Sequence, residues 1–172
     1  MDGRDRIVVC GVDGSPASQR ALEWAVAEAG YRGCRLRAVT AWSWDGVEGM
    51  MAAGSPADAR GQAESVQRKA LLAAMDNIDD APEVERLLVR GAPSEVLCVA
   101  GLDAEMLVVG SRGHSTVHGV FVGSTGQRVI RHAPCPVVVL PDPRHVETEL
   151  KHMRRRQQRR RPMERPAGAP MF

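Results

Sequence analysis

The unbroken apolar run Ile7-Val8-Val9-Cys10-Gly11-Val12 constrains the fold most, because it lacks the polar alternation of a strand with one wet face. Such a run suits a strand buried on both faces of a parallel sheet. Asp13-Gly14-Ser15-Pro16 then turns the chain, with Ser15 suited to cap a helix and Pro16 to its first position. Ala21, Leu22, Ala25, Val26 and Ala29 recur at helical spacing, and Gly30 offers a stop, completing one βα unit. Leu36 to Trp42 reads as a second strand, followed by a long mobile connection over Ser43 to Gly61. The spacing of Val66, Ala70, Leu71, Ala74 and Ile78 predicts a helix from about Ala63 to Ile78. A strand over Val84 to Val89, a helix over Ser94 to Ala100 and a strand over Met106 to Val109 follow. Ser124 to His132 reads as a further helix, and Pro134, Pro136 and Pro141 isolate the last strand, Val137 to Leu140. Strands alternating with helices imply crossover connections, so the fold class is α/β: an open five-stranded parallel sheet with helices on both faces.

With 172 residues, 44% of them apolar and 26% charged, the chain can bury one sizeable core and is short for two ordinary domains. The net charge of +2 is unevenly spread. Residues 142–172 hold nine Lys/Arg against four acids, leaving fourteen against seventeen in residues 1–141. The expected organisation is therefore a mildly acidic domain over 1–141 and a basic tail over 142–172, solvated and without fixed structure, with Arg154-Arg155-Arg156 and Arg159-Arg160-Arg161. Val146, Leu150 and Met153 leave open a short amphipathic helix within that tail. A partner of the tail, if there is one, is an anionic membrane, a nucleic acid or an acidic protein patch. Cys10, Cys34, Cys98 and Cys135 form no C-x-x-C pair and are expected as buried, reduced thiols. No span approaches the length of a membrane helix and no signal-peptide core follows the N-terminus, which points to a cytoplasmic protein.

The chemistry concentrates after the fourth strand. Gly110-Ser111-Arg112-Gly113 is followed, after nine residues, by Gly123-Ser124 at the start of a predicted helix. A strand, a glycine-bearing loop and a helix N-terminus make a phosphate-binding layout, since the first backbone N–H groups of a helix lack internal partners and carry the positive end of its dipole. The spacing G-x2-G-x9-G-S/T is also the ATP-binding signature of the universal stress protein family, which the chain resembles over about residues 6 to 141. The resemblance implies strand order 3-2-1-4-5, with strands 1 and 4 adjacent where the winding reverses, and Asp13 and Gly110 meeting at that switch point.

By the same resemblance, Asp13 contacts the ribose or adenine of ATP, Val39 and Ala41 line an adenine pocket, and Val109 ends the strand that leads into the loop. Gly110 and Gly113 approach ribose and phosphate, and Gly123, Ser124 and Thr125 offer donors to the outer phosphates; with few cations nearby, the phosphate charge would call for Mg²⁺ and Arg112 or Arg128, although the plainer reading of Arg112 is a solvated side chain. Each has a plainer reading: Asp13 in an Asx turn, Val39 and Ala41 as core, the glycines as turn residues, and Ser124 as an N-cap. Gly113→Ala is expected to weaken ATP binding, because the methyl group blocks approach to phosphate. The family commonly dimerises through its last strand, so a homodimer through Val137–Leu140 is expected.

The only lysines are Lys69 and Lys151, so a P-loop lysine is missing and a Walker-type ATPase is excluded. His114 and His118 have no third metal ligand at suitable spacing, and no general base can be assigned. The resemblance thus implies an ATP-binding sensor or regulator of a stress response, with at most weak ATPase or autophosphorylation activity. Two alternatives remain: a slow ATP hydrolase or phosphotransferase using the same pocket, and a structural module that binds a partner through its tail or the segment after Trp42-Ser43-Trp44.

Overall fold

The computed structural model describes residues 6–44, 54–76, 78, 80–113, 122–142, 150, 151 and 153–157. Among the described residues up to Asp142, five strands and four helices alternate: β1 (Ile7–Gly11), α1 (Pro16–Arg32), β2 (Arg35–Trp42), α2 (Pro56–Ala74), β3 (Val84–Arg90), α3 (Pro93–Ala100), β4 (Met106–Gly110), α4 (Ser124–His132) and β5 (Val137–Leu140). The strands form one parallel sheet in the order β3-β2-β1-β4-β5. Val9 pairs with Arg37 on one side and Leu107 on the other, and Leu107 with Val137.

Alternation along the central strands divides the core into two layers. Val8, Cys10, Leu36, Ala38 and Val108 face Leu22, Ala25, Val26 and Ala29 of α1 and Ala70, Leu71 and Ala74 of α2. Ile7, Val9, Val39, Leu107 and Val109 face Val96 and Leu97 of α3 and Val129 of α4. Both layers exclude water from the central strands, which is why β1 and β4 can be apolar on successive residues.

Three expectations need correction. The helix expected over Ala63–Ile78 spans Pro56–Ala74, so the connection after β2 is shorter than Ser43–Gly61. Ser55 caps it by accepting from the Asp58 N–H, with Pro56 at the first position, repeating the Ser15-Pro16 device that starts α1. α1 passes Gly30 and stops at Gly33, whose left-handed φ of 62° lets its N–H reach the carbonyls of Ala29 and Gly30. Of the four free thiols, Cys10 and Cys34 are buried but Cys98 and Cys135 are only half-buried. Burial pushes the Cys10 thiol pKa well up, aided by the nearby negative charge of Asp13.

The chain forms two compact units, Met1–Asp142 and Pro143–Phe172. Within the second, residues 150, 151 and 153–157 are helical with Leu150 and Met153 exposed, the helical alternative for the tail; Val146 lies outside the described residues. None of the described helices is long and apolar enough to cross a membrane.

Candidate functional site

The turn after β1 is folded onto the first turn of α1. Asp13 Oδ1 accepts from the Ser15 N–H at 2.9 Å, so the Asx turn is present. Ser18 Oγ accepts from the N–H groups of Asp13 and Gly14 at 3.1 and 3.2 Å, and Ser15 Oγ accepts from the Ser18 N–H. Ser15 also donates its hydroxyl to the Arg112 carbonyl at 3.1 Å, tying this turn to the loop after β4, 97 residues later. With β1 and β4 adjacent in the sheet, the two loops share one rim at the winding reversal.

Gly110 and Gly113 are each hemmed in by the protein itself. A Cβ on Gly110 would lie 2.7 Å from the Ala17 carbonyl carbon and the Ser18 nitrogen, the backbone of α1 itself. A Cβ on Gly113 would lie 2.7 Å from Asp13 Oδ2. The expectation that a methyl group at Gly113 acts on phosphate directly is therefore revised, because the first obstacle it meets is the Asp13 carboxylate.

α4 begins without a side-chain cap. Its N-cap is Gly123, not Ser124, which is the first helical residue; the N-cap reading of Ser124 is corrected accordingly. The first i→i−4 bond is from the Gln127 N–H to the Gly123 carbonyl, so the Ser124, Thr125 and Gly126 amides precede the helical ladder. Gly123 is itself held by its N–H to the Ser111 carbonyl at 2.7 Å. Ser111 also donates its N–H to the Leu140 carbonyl, and its Oγ accepts from the buried Asp142 amide, so the end of β5 braces the same loop.

These segments enclose a crevice of about 640 Å³. Asp13, Val39, Ala41, Val109, Gly110, Gly113, Gly123, Ser124 and Thr125 all line it. The lining combines the apolar Val39, Ala41, Leu97 and Pro93 with the hydroxyl-bearing Ser18, Ser111, Ser124 and Thr125. Among the described residues of the lining, Asp13 and Arg112 carry the formal charges. Arg128 is not in it: it lies in a separate depression between α3 and α4 with Ser94, Glu95, Cys98 and His132. His114 and His118 lie outside the described residues. A crevice lined by both apolar side chains and amides or hydroxyls can hold a flat ring and an anion together.

Residues 5–141 match the model of the universal stress protein family. The chain belongs to the universal stress protein family. Universal stress protein Rv2623 of Mycobacterium tuberculosis is 36% identical over 138 residues, covering 77% of this chain but 44% of that protein. The chain thus spans less than half the length of that mycobacterial relative. A universal stress protein of Thermus aquaticus, from the QAH/OAS sulfhydrylase 3′ region, is 32% identical over 143 residues, with 78% of this chain and 98% of the relative covered. Among solved structures, a universal stress protein in complex with cAMP is similar at 27% identity and a TM-score of 0.53, covering 80% of this chain and 97% of that one.

Sequence reasoning about this universal stress protein missed the residues that fix the crevice from behind. Ser18, Thr40, Gln67 and Ser111 are buried polar side chains, and each bonds to the backbone of a neighbouring segment. Ser18 and Ser111 sit inside recognisable motifs and could have been found from their place next to Asp13 and Gly110. Gln67 and Thr40 carry no such signal, since a polar residue on an otherwise apolar helix face or strand is recognisable only once its partners are known.

Proposed function

We propose that this universal stress protein binds ATP in the crevice between the Asp13 turn and the Gly110–Thr125 segment and acts as a nucleotide-dependent regulator of a stress response. The observation that carries the reading is the convergence of nine expected ligand positions from four separate stretches of chain on one crevice of about 640 Å³. That volume falls within the roughly 300–1,000 Å³ usual for small-molecule sites. The apolar lining at Val39 and Ala41 suits an adenine ring, and the Asp13 carboxylate suits the hydroxyls of a ribose. The Ser124, Thr125 and Gly126 amides, ahead of the helical ladder of α4, suit a phosphate chain. Mg²⁺ fits as an ion carried mainly by phosphate oxygens and water, because the described lining offers it a single carboxylate. The similar protein crystallised with cAMP supports an adenine nucleotide as the ligand class.

Holding rather than turning over the nucleotide is part of this proposal. Phosphoryl transfer requires an aligned nucleophile and charge stabilisation, and the described crevice presents one acid and one guanidinium. β5 is an edge strand with half-buried side chains, which supports a homodimer formed through Val137–Leu140. Four free cysteines suit a reducing compartment, in keeping with a cytoplasmic location.

Calorimetric titration with ATP and Mg²⁺, with cAMP as competitor, tests the reading. Saturable binding that Asp13→Ala weakens supports it. No heat with either nucleotide rejects it, and multiple-turnover phosphate release dependent on Asp13 would favour the hydrolase alternative.

A further inference from the structure

Asp13 leaves β1 through a peptide unit held at both ends. The Thr40 hydroxyl donates to the Val12 carbonyl at 2.8 Å, and Ser18 Oγ accepts from the Asp13 N–H at 3.1 Å. Both side chains are buried, so water does not compete for these bonds. A hydroxyl has one hydrogen; once it is given to Val12, Thr40 Oγ1 can only accept. The Gln67 amide supplies that donor at 3.2 Å; its two hydrogens also serve the Ala38 and Leu87 carbonyls, both at 3.0 Å, so two hydrogens are shared among three acceptors. Gln67 is wholly buried, and its Oε1 accepts from Arg86 Nε at 3.1 Å, which fixes which end of the carboxamide faces the sheet. The donors thus run in one direction, from Arg86 on β3 through Gln67 on α2 and Thr40 on β2 to the carbonyl immediately before Asp13.

None of Arg86, Gln67 or Thr40 lines the crevice. We propose that Thr40 and Gln67 are positioning residues for nucleotide binding: their directed hydrogen bonds set the Val12–Asp13 peptide plane and so hold the Asp13 carboxylate against Gly113. The inference rests on the nucleotide-binding reading and adds to it a dependence on α2 and the β3 edge. By reciprocity, a ligand that requires Asp13 in this placement stabilises the donor chain in turn.

The test uses the full chain with Thr40→Val, which keeps the shape and removes the hydroxyl, Thr40→Ser, which restores it, and the partly exposed Arg86→Met, which removes the donor orienting Gln67. Affinity for ATP with Mg²⁺ is measured by calorimetry well below each melting temperature, and Asp13 and Gly14 amide exchange by NMR. Thr40→Val is expected to weaken binding on the order of tenfold, the effect of losing one buried hydrogen bond, and to speed exchange at Asp13. Thr40→Ser is expected to stay close to wild type, and Arg86→Met to show the same changes in smaller degree. A wholly structural role lowers the melting temperature of Thr40→Val but moves neither readout. Wild-type exchange in both Thr40→Val and Arg86→Met, or equal changes in the Val and Ser variants, overturns the proposal. If Thr40→Val does not fold, exchange in Arg86→Met decides. If the wild type binds no ATP, the functional reading fails while the exchange comparison still judges the positioning claim.

Discussion

Gly110 and Gly113 belong to one motif, yet their alanine variants should fail in different ways. At Gly110 the new Cβ would meet the Ala17 carbonyl carbon and Ser18 nitrogen at 2.7 Å, and helix backbone cannot rotate aside. The end of β4 and the start of α1 must separate, and overpacking of this kind costs about 1–3 kcal/mol, with rigid backbone opposite favouring the upper half. Stiffening the unfolded chain returns about 0.4–1 kcal/mol. The net loss is about 1–2.5 kcal/mol, and at about 3 °C per kcal/mol for a domain of this size the melting temperature should fall by about 3–8 °C. At Gly113 the obstacle is Asp13 Oδ2, the far end of a side chain, which can swing away. Gly113→Ala should therefore melt within about 2 °C of wild type while its ATP affinity drops on the order of tenfold, the loss of one hydrogen bond from a charged group. Calorimetric melting and ATP titration of the two variants separate these effects. An unchanged melting temperature for Gly110→Ala, or unchanged affinity for Gly113→Ala, refutes the reasoning.

Arg37 bridges β2 to Glu85 at 2.8 Å and Asp103 at 2.6 Å, and its hydrogen bond holds the Asp103 pKa below the ordinary carboxylate range. A carboxylate with a depressed folded pKa adds stability above its unfolded pKa and loses it as pH falls through the folded one. Asp103→Asn should accordingly cost less than about 1 kcal/mol near pH 7, since Asp103 is largely exposed, and the difference should vanish in urea melts at the acid end. A difference that persists once the carboxyl is protonated contradicts this. Under native conditions iodoacetamide should modify Cys98 and Cys135 before Cys10 and Cys34, because the latter two are buried and the Cys10 pKa is raised. Mass spectrometry that finds Cys10 alkylated as fast as Cys98 in folded protein would reject the burial described.

What was legible in the sequence was mostly local. The continuous apolar runs of β1 and β4 identified strands covered on both faces, and Ser15-Pro16 marked the start of α1 because cap and first turn are encoded by adjacent residues. The same logic at Ser55-Pro56 was hidden by Gly, Ala and acidic residues upstream, which made the N-terminal turns of α2 resemble a loop. The crevice lining was also recoverable, since motif residues and strand ends converge at the switch point that the family's strand order implies. What was not recoverable depends on distances across the fold. The contact of Gly110 with α1, the contact of Gly113 with Asp13 and the run from Arg86 to Val12 join residues up to about a hundred positions apart, and single residues give no sign of them.

The central claim is that the crevice is a nucleotide site. Its most direct test is the small-molecule content of protein purified gently and then denatured by heat, alongside the same preparation of Asp13→Ala. Adenine nucleotide released from the wild type, and strongly reduced in the variant, is the predicted result. Wild-type protein that releases no adenine nucleotide and gives no calorimetric signal with ATP and Mg²⁺ contradicts it.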